Sequence, residues 1–165
     1  MGHHHDHDIA DITIALVTIS TSRTLDDDPA GDAIAVAIED AGSTVVERRL
    51  VDDDADAIEA ALLELVDAPE VDAVVTTGGT GITPDDVTID VAERVLEIDL
   101  PGFGEEFRRR SFAEVGTRAM ATRATAGVLA GVPVFCLPGS ENAARLGIEA
   151  LILPEVAHLV AMATR

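Results

Sequence analysis

The chain has 165 residues, 47% of them apolar, which suits one domain with its own core. Its 31 acids against 11 basic residues, all arginine, give a formal charge of −20, so there is no cationic face to displace counterions from phosphates, and nucleic acid is excluded as a partner. The opening MGHHHDHD lacks the apolar middle of a signal peptide, and no apolar stretch reads as a span of about 20 residues, so a cytoplasmic protein with no membrane contact is expected.

Residues 1–10 read as a disordered His/Asp-rich segment, in which His3, His4, His5 and His7 are either a transition-metal-binding run or a tag, with the domain over 11–165. DITIALVTI (11–19) is apolar and β-branched enough for a buried strand and stops at STSRT. Asp28-Pro29-Ala30-Gly31 reads as a turn into a helix over 32–41, with Gly42 past its end. STVVERRLV (43–51) is a second strand, Asp53 or Asp54 caps a helix to residue 67, and VDAVVTT (71–77) is a third strand. A helix near 87–97, a turn at Leu100-Pro101-Gly102, a helix through GEEFRRRSF, a strand VPVFCL and a long helix from Ser140 follow. In that last helix Leu146, Glu149, Ala150, Leu153, Val156, Ala157, Val160 and Ala161 would mostly share one side, and Pro154 should kink or interrupt it. Apolar strands alternating with helices imply an α/β fold, a largely parallel sheet covered on both faces, with ligands at the strands' carboxyl ends.

STSRT, LVDDD and TTGGTG all fall at that rim. The Gly-Gly-Thr-Gly turn lets backbone approach a ligand and aims N–H groups at an anion, yet such turns are as often structural. Asp85 and Asp86 beside it would repel a phosphate unless a cation intervenes, and Mg2+ on one or two carboxylates is the usual solution; the bland alternative is that Asp86 caps the next helix. Asp52 and Asp54 read as solvated surface, and Arg23 as either a phosphate partner or half of an ion pair. Cys136, alone in the chain, reads as a small buried apolar residue, and His158 as packed or at an interface. Arg108, Arg109 and Arg110 read as salt-bridging or interface residues, and the acids spread along the chain as adaptation to a salty, halophilic cytoplasm.

TISTSRTLDDD, RRLVDDD, VVTTGGTGITPDDVT, LPGFGEEFRRRSF, GTRAMATRATAG and FCLPGSENA, in that order and spacing, resemble the molybdopterin adenylyltransferase family of the MoaB/MogA type. The resemblance covers about residues 11 to 160 and implies a three-layer α/β/α sandwich assembled as a homotrimer or homohexamer. It implies adenylylation of molybdopterin by ATP with Mg2+, releasing pyrophosphate, ahead of a molybdate-inserting protein that adds molybdenum or tungsten. By the same resemblance Asp53 and Asp86 are the catalytic residues and share the metal. Substrate binding falls on Ser20, Ser22, Arg23, Thr77, Gly78, Gly79, Thr80, Gly81, Thr88, Glu105, Pro138, Gly139 and Ser140. The chain departs from the family's pattern at Thr21, at Pro29-Ala30 and at Ile89. A non-catalytic molybdopterin-binding or scaffolding module of the same fold is the alternative.

Overall fold

Alternation along three apolar strands decides how the layers form. In the computed structural model, which describes residues 8–164, Ile14 and Leu16, Ala73 and Val75, and Phe135 and Leu137 point into one buried cluster. Their sequence neighbours Ala15, Val17, Ile19, Val74, Val134 and Cys136 point into another. Successive residues of a strand face opposite sides, so a strand apolar at every position must be covered twice.

The elements are β1 (Thr13–Ile19), α1 (Pro29–Asp40), β2 (Thr44–Val51), α2 (Ala55–Asp67), β3 (Ala73–Thr77), α3 (Thr88–Val95), β4 (Ile98–Asp99), α4 (Pro101–Val115), β5 (Thr125–Leu129) and β6 (Val132–Leu137). A continuous helix closes the chain: α5 (Glu141–Arg145), a π-helical stretch Leu146–Ile152, and α6 (Leu153–Ala163). The sheet order is β2-β1-β3-β6-β5-β4. Strands β2, β1, β3 and β6 are parallel, while β5 runs antiparallel to β6 and β4 to β5. Helices α1, α4 and the closing helix cover one face through Ile34, Ile38, Phe107 and Ile148; α2 and α3 cover the other through Ile58, Leu62, Leu65 and Ile89. This is the expected α/β sandwich with a largely parallel sheet. Strand β1 is flanked by β2 on one side and β3 on the other, so the chain order reverses there and the loops leaving β1 and β3 open a crevice.

Several boundaries differ from expectation for local reasons. Helix α1 begins at Pro29, not at residue 32: Asp28 is its N-cap, accepting from the Gly31 amide, and Pro29 fills the first helical position, where no N–H is needed. Pro101 likewise starts α4 where a turn was expected. The hairpin of β5 and β6 turns at Ala130-Gly131, both with positive φ, and β5 and β4 were not foreseen. Ile9–Asp11 form a 3-10 turn capped by Asp8, with Ile9 packed against the core, so the disordered segment expected over 1–10 does not hold there. His3, His4, His5 and His7 lie outside the described residues.

The closing helix bears out part of the expected face, with Leu146, Leu153 and Ala157 packed part-buried against the core. Its buried residues are Ala144, Gly147, Ile148, Ile152, Val156 and Val160, so of the expected stripe only Val156 and Val160 are buried. A spacing of four drifts by about 40° per step in a regular α-helix. The wider π-helical turns offset that drift and accommodate Pro154, which lacks an N–H and would press on the carbonyl of the preceding turn. Glu141–Ala163 is also long and apolar enough, by length and composition, to cross a membrane, contrary to the sequence reading. Its buried stripe, Ile148, Ile152, Val156 and Val160 among it, packs into the cluster on one face of the sheet. His158, expected to be packed or at an interface, is not packed within the chain but exposed. Cys136 is fully buried, and burial pushes its thiol up to about 11, as suits a small core residue.

With a net charge of −20, like-charge repulsion opposes the compact state most strongly in dilute buffer. We expect the thermal unfolding midpoint, followed by circular dichroism, to rise by several degrees on going to about 1 M KCl, where the Debye length is about 3 Å. An unchanged midpoint would show that the charge is not a destabilising term.

Candidate active site

At the crevice between the ends of β1 and β3 lies an open cleft of about 600 Å3. Ser20 and Arg23 from the loop after β1, Asp53 after β2, Gly78 to Gly81 and Asp86 after β3, and Pro138 to Ser140 after β6 all line it. Ile19, Arg118, Ala121 and Thr122 complete the wall. Eleven positions singled out by sequence therefore share one cavity, because four parallel strands deliver their following loops to the same edge.

The two aspartates are held in the same way. The Oδ2 of Asp53 accepts from the Thr21 amide at 3.0 Å and the Thr21 hydroxyl at 2.9 Å. The Oδ2 of Asp86 accepts from the Thr83 amide at 3.0 Å and the Thr83 hydroxyl at 2.8 Å. Each carboxylate is half-buried, and among the described residues neither Oδ1 has a hydrogen-bond donor. Asp86 is not a helix cap: α3 starts after Val87 with no side-chain cap, and the carboxylate turns back to Thr83 instead. Of the two residues able to cap α2, Asp54 does so, through the Ala57 amide, which leaves Asp53 for the cleft. Thr21, one of the departures noted above, proves to be the donor that orients Asp53.

The glycine loop is shaped by close backbone approach. Gly78 (φ 106°) and Gly79 (φ 71°) occupy the left-handed region, and a Cβ would run into the Ile19 carbonyl oxygen at the first and the Thr88 hydroxyl at the second. Beneath them, the Thr88 hydroxyl donates to the Gly78 carbonyl at 2.9 Å and the Thr77 hydroxyl to the Pro138 carbonyl at 2.8 Å. Thr77 and Thr88 are buried, so these two expected ligand-binding residues support the loop rather than line the cleft. Ser22 is exposed beside Ser20 and Glu105 is exposed on α4; neither is on the cleft wall.

Arg23 is half of an ion pair, as one of its two readings had it, and it also lines the cleft. It pairs at 3.7 Å with Asp28 and donates to the Gly139 carbonyl at 3.3 Å. Asp28 is a buried carboxylate that also accepts from the Thr18 hydroxyl at 2.5 Å and from Arg48 at 3.1 Å. The basic run on α4 divides. Arg109 and Arg110 both grip Glu106, and their hydrogen bonds hold its carboxyl down at about 2, whereas Arg108 donates to the Ala124 carbonyl.

The model of the family described as "Probable molybdopterin binding domain" matches residues 15–158, from β1 to α6, taking in every loop of the cleft. The chain belongs to the molybdopterin-binding domain family. It is 43% identical over 162 residues to molybdenum cofactor biosynthesis protein B of Staphylococcus epidermidis, covering 96% of this chain and 92% of that one. To the protein of the same name from Bacillus anthracis it is 41% identical over 150 residues, covering 90% and 89%. Among solved structures, a molybdenum cofactor biosynthesis protein B superposes with a TM-score of 0.90 at 39% identity, over 92% of this chain and 95% of that one. The tungsten cofactor synthesizing protein MoaB from Pyrococcus furiosus does so at 0.82 and 37%, over 93% and 98%.

This molybdopterin-binding domain relies on a residue that motif reading passed over. Arg123 donates from Nε to the Gly81 carbonyl at 3.0 Å, from one terminal nitrogen to the Asp86 carbonyl at 3.0 Å, and from the other to Asp90 at 3.2 Å. Its own amide donates to the Thr80 carbonyl at 2.9 Å. One planar fork thus ties the glycine loop to the Asp86 loop and to α3. A signal was available in the sequence: Arg118 and Arg123 lie in the run between Glu114 and Glu141, where no acid occurs, although acids recur throughout the rest of the chain.

We expect Arg123→Gln to cost about 1–3 kcal/mol of stability and to speed amide hydrogen exchange over residues 78–90 while α1 keeps its protection. Arg123→Lys should recover only part of this, since an ammonium cannot reach three acceptors as a fixed fork does. Unchanged exchange over 78–90 in the glutamine variant would rule out the clamp.

Proposed function

We propose that this chain acts in molybdenum or tungsten cofactor biosynthesis as a Mg2+-dependent molybdopterin adenylyltransferase. Membership of the family and the names of its relatives support the pathway; the chemistry rests on the cleft. The observation that carries it is the pair Asp53 and Asp86, each fixed through one oxygen and open at the other, on the wall of a cavity shared with a glycine loop.

The donor set fits a hard divalent cation. Among the described residues no group of three or more His, Cys, Asp or Glu side chains converges, so a closed protein cage is not offered. Two carboxylates leave most positions to water and phosphate oxygens, the arrangement Mg2+ favours. Bound by Asp53 and Asp86, Mg2+ would offset the charge of two polyanionic substrates, a task for which this chain has no lysine.

The chain's own groups then position the reactants. Gly78 and Gly79 let the triphosphate approach the backbone at the end of β3, and Arg23, held by Asp28 and Gly139, faces the same space. In the proposed reaction an oxygen of the molybdopterin phosphate bonds to the α-phosphorus of ATP, and the bond to the β,γ-unit breaks to release pyrophosphate. Thr21 and Thr83 keep the two carboxylates oriented, so little rearrangement is needed as charge develops.

We further place the protein in the cytoplasm and propose that it works as a homo-oligomer, either trimer or hexamer, handing its product to a molybdate-inserting protein. Exposed Phe112 and Met120, near the end of α4 and in the turn that follows, support self-association.

The test is incubation with molybdopterin, ATP and Mg2+, with chromatography for adenylyl-molybdopterin and pyrophosphate. We expect Asp86→Asn and Asp53→Asn each to lower product formation about a hundredfold or more. Both should melt near the wild-type temperature, because an amide oxygen still accepts from Thr83 or Thr21. Full activity in either variant would remove that residue from the metal site. A wild-type protein that binds molybdopterin without adenylylating it would favour the scaffolding alternative.

A further inference from the structure

In a chain with 31 acids, an arginine without a partner is unexpected. Arg23, Arg48, Arg49, Arg94, Arg109, Arg110, Arg123 and Arg145 each pair with a carboxylate, and Arg108 donates to a backbone carbonyl. Among the described residues only Arg118 has a guanidinium with neither an acidic partner nor a hydrogen bond. Glu114, four residues earlier, lies nearby on the same wall but forms no ion pair with it, since the chain leaves α4 at Gly116 with φ 66°.

Arg118 stands where two cavities meet. It lines the open cleft and also an adjoining lobe of about 260 Å3, and the two share Thr122, Pro138 and Ser140. Phe107, Val115, Ala119, Ala143 and Leu146 give the lobe an apolar wall. It is smaller than the roughly 300–1,000 Å3 of a whole small-molecule site, so it is sized for part of a ligand whose remainder occupies the cleft. An apolar lobe opening past a free guanidinium onto a glycine loop is complementary to a flat heterocycle that carries a phosphate.

We propose that Arg118 is the phosphate anchor of a heterocycle subsite, with the fused ring seated in the lobe and its phosphate across the guanidinium. The assignment rests on the adenylyltransferase reading only in expecting such ligands. Adenine and pterin share this chemistry, and the test separates them.

Binding of AMP, adenosine, 6-hydroxymethylpterin phosphate and 6-hydroxymethylpterin is measured by calorimetry on the full-length protein at fixed salt. We expect Arg118→Gln to weaken at least one phosphate-bearing probe about tenfold while its phosphate-free parent binds as to wild type; the probe affected identifies the ring. Arg118→Lys should recover part of the loss. Val115→Trp, at an exposed position on the lobe, should weaken a phosphate ester and its parent alike. Wild-type affinities for all four probes in Arg118→Gln overturn the proposal, as does a wild-type protein that binds none of them at millimolar concentration. So does a change of solution mass with no change in affinity, which would make Arg118 a subunit contact. If the wild type yields no adenylylated product yet the phosphate dependence on Arg118 holds, the reaction falls and the subsite stands. If product forms and no probe responds to Arg118, the subsite alone falls.

Discussion

A threonine that offers one carboxylate oxygen both its amide and its hydroxyl occurs twice in this cleft, at Thr21 with Asp53 and at Thr83 with Asp86. Everything chemical in the site depends on that pairing. Two carboxylates on one wall repel each other, and in a chain this acidic they would swing toward solvent unless held. Donors on Oδ2 fix the rotamer and share the charge, while Oδ1 accepts from no donor among the described residues. A carboxylate satisfied at both oxygens would be structural, and one satisfied at neither would be mobile.

That arrangement in turn needs the sheet to bring four loops to one edge. Because β1 sits between β2 and β3, the segments Ser20–Arg23 and Gly78–Gly81 leave adjacent strands in the same direction, and Asp53 arrives from β2 beside them. The approach is so close that Gly78 has no room for a side chain against Ile19, and a Cβ on Gly139 would come within 3.3 Å of the Gly78 Cα. Residues outside the cleft then carry the load: the hydroxyls of Thr77 and Thr88 hold the loop from below and Arg123 holds it from the side. Motif residues thus divide into those that meet the cavity and those that keep its wall in place, a division that residue type alone does not reveal.

What could be read from the sequence follows this distinction. The buried strands, the helices between them and the rim of the sheet were legible because each rests on local periodicity; the glycine turn and Asp86 beside it stood out by composition, and Asp53 only through the family resemblance. The short β4, with both residues exposed, and β5, with its run of small residues, carry too little pattern to announce themselves. Helix α1 started early because a capping aspartate followed by proline was read as a turn rather than as a first helical turn. The face of the closing helix was only partly read, Leu146, Leu153, Val156, Ala157 and Val160 meeting the core, because its π-helical stretch changes the spacing from which a face is counted. The clamp of Arg123 was invisible in a different way: the acceptors of its side chain are 33 to 42 positions away in the chain, so only the fold makes them neighbours.

The absence of lysine gains a structural sense from these long-range ties. Asp28 is buried, and Arg48, the Thr18 hydroxyl and the Gly31 amide surround its carboxylate. Arg23 pairs with the same carboxylate, so one buried acid ties β1, α1, β2 and the cleft loop together. Arg123 reaches three acceptors in different directions, two of them backbone carbonyls that no side-chain substitution can remove. A planar fork does both jobs with one residue, whereas an ammonium would act as a single point of charge. A highly acidic chain that spends most of its few cations as structural ties has little positive charge left for the cleft, and the proposed Mg2+ would supply what the protein withholds.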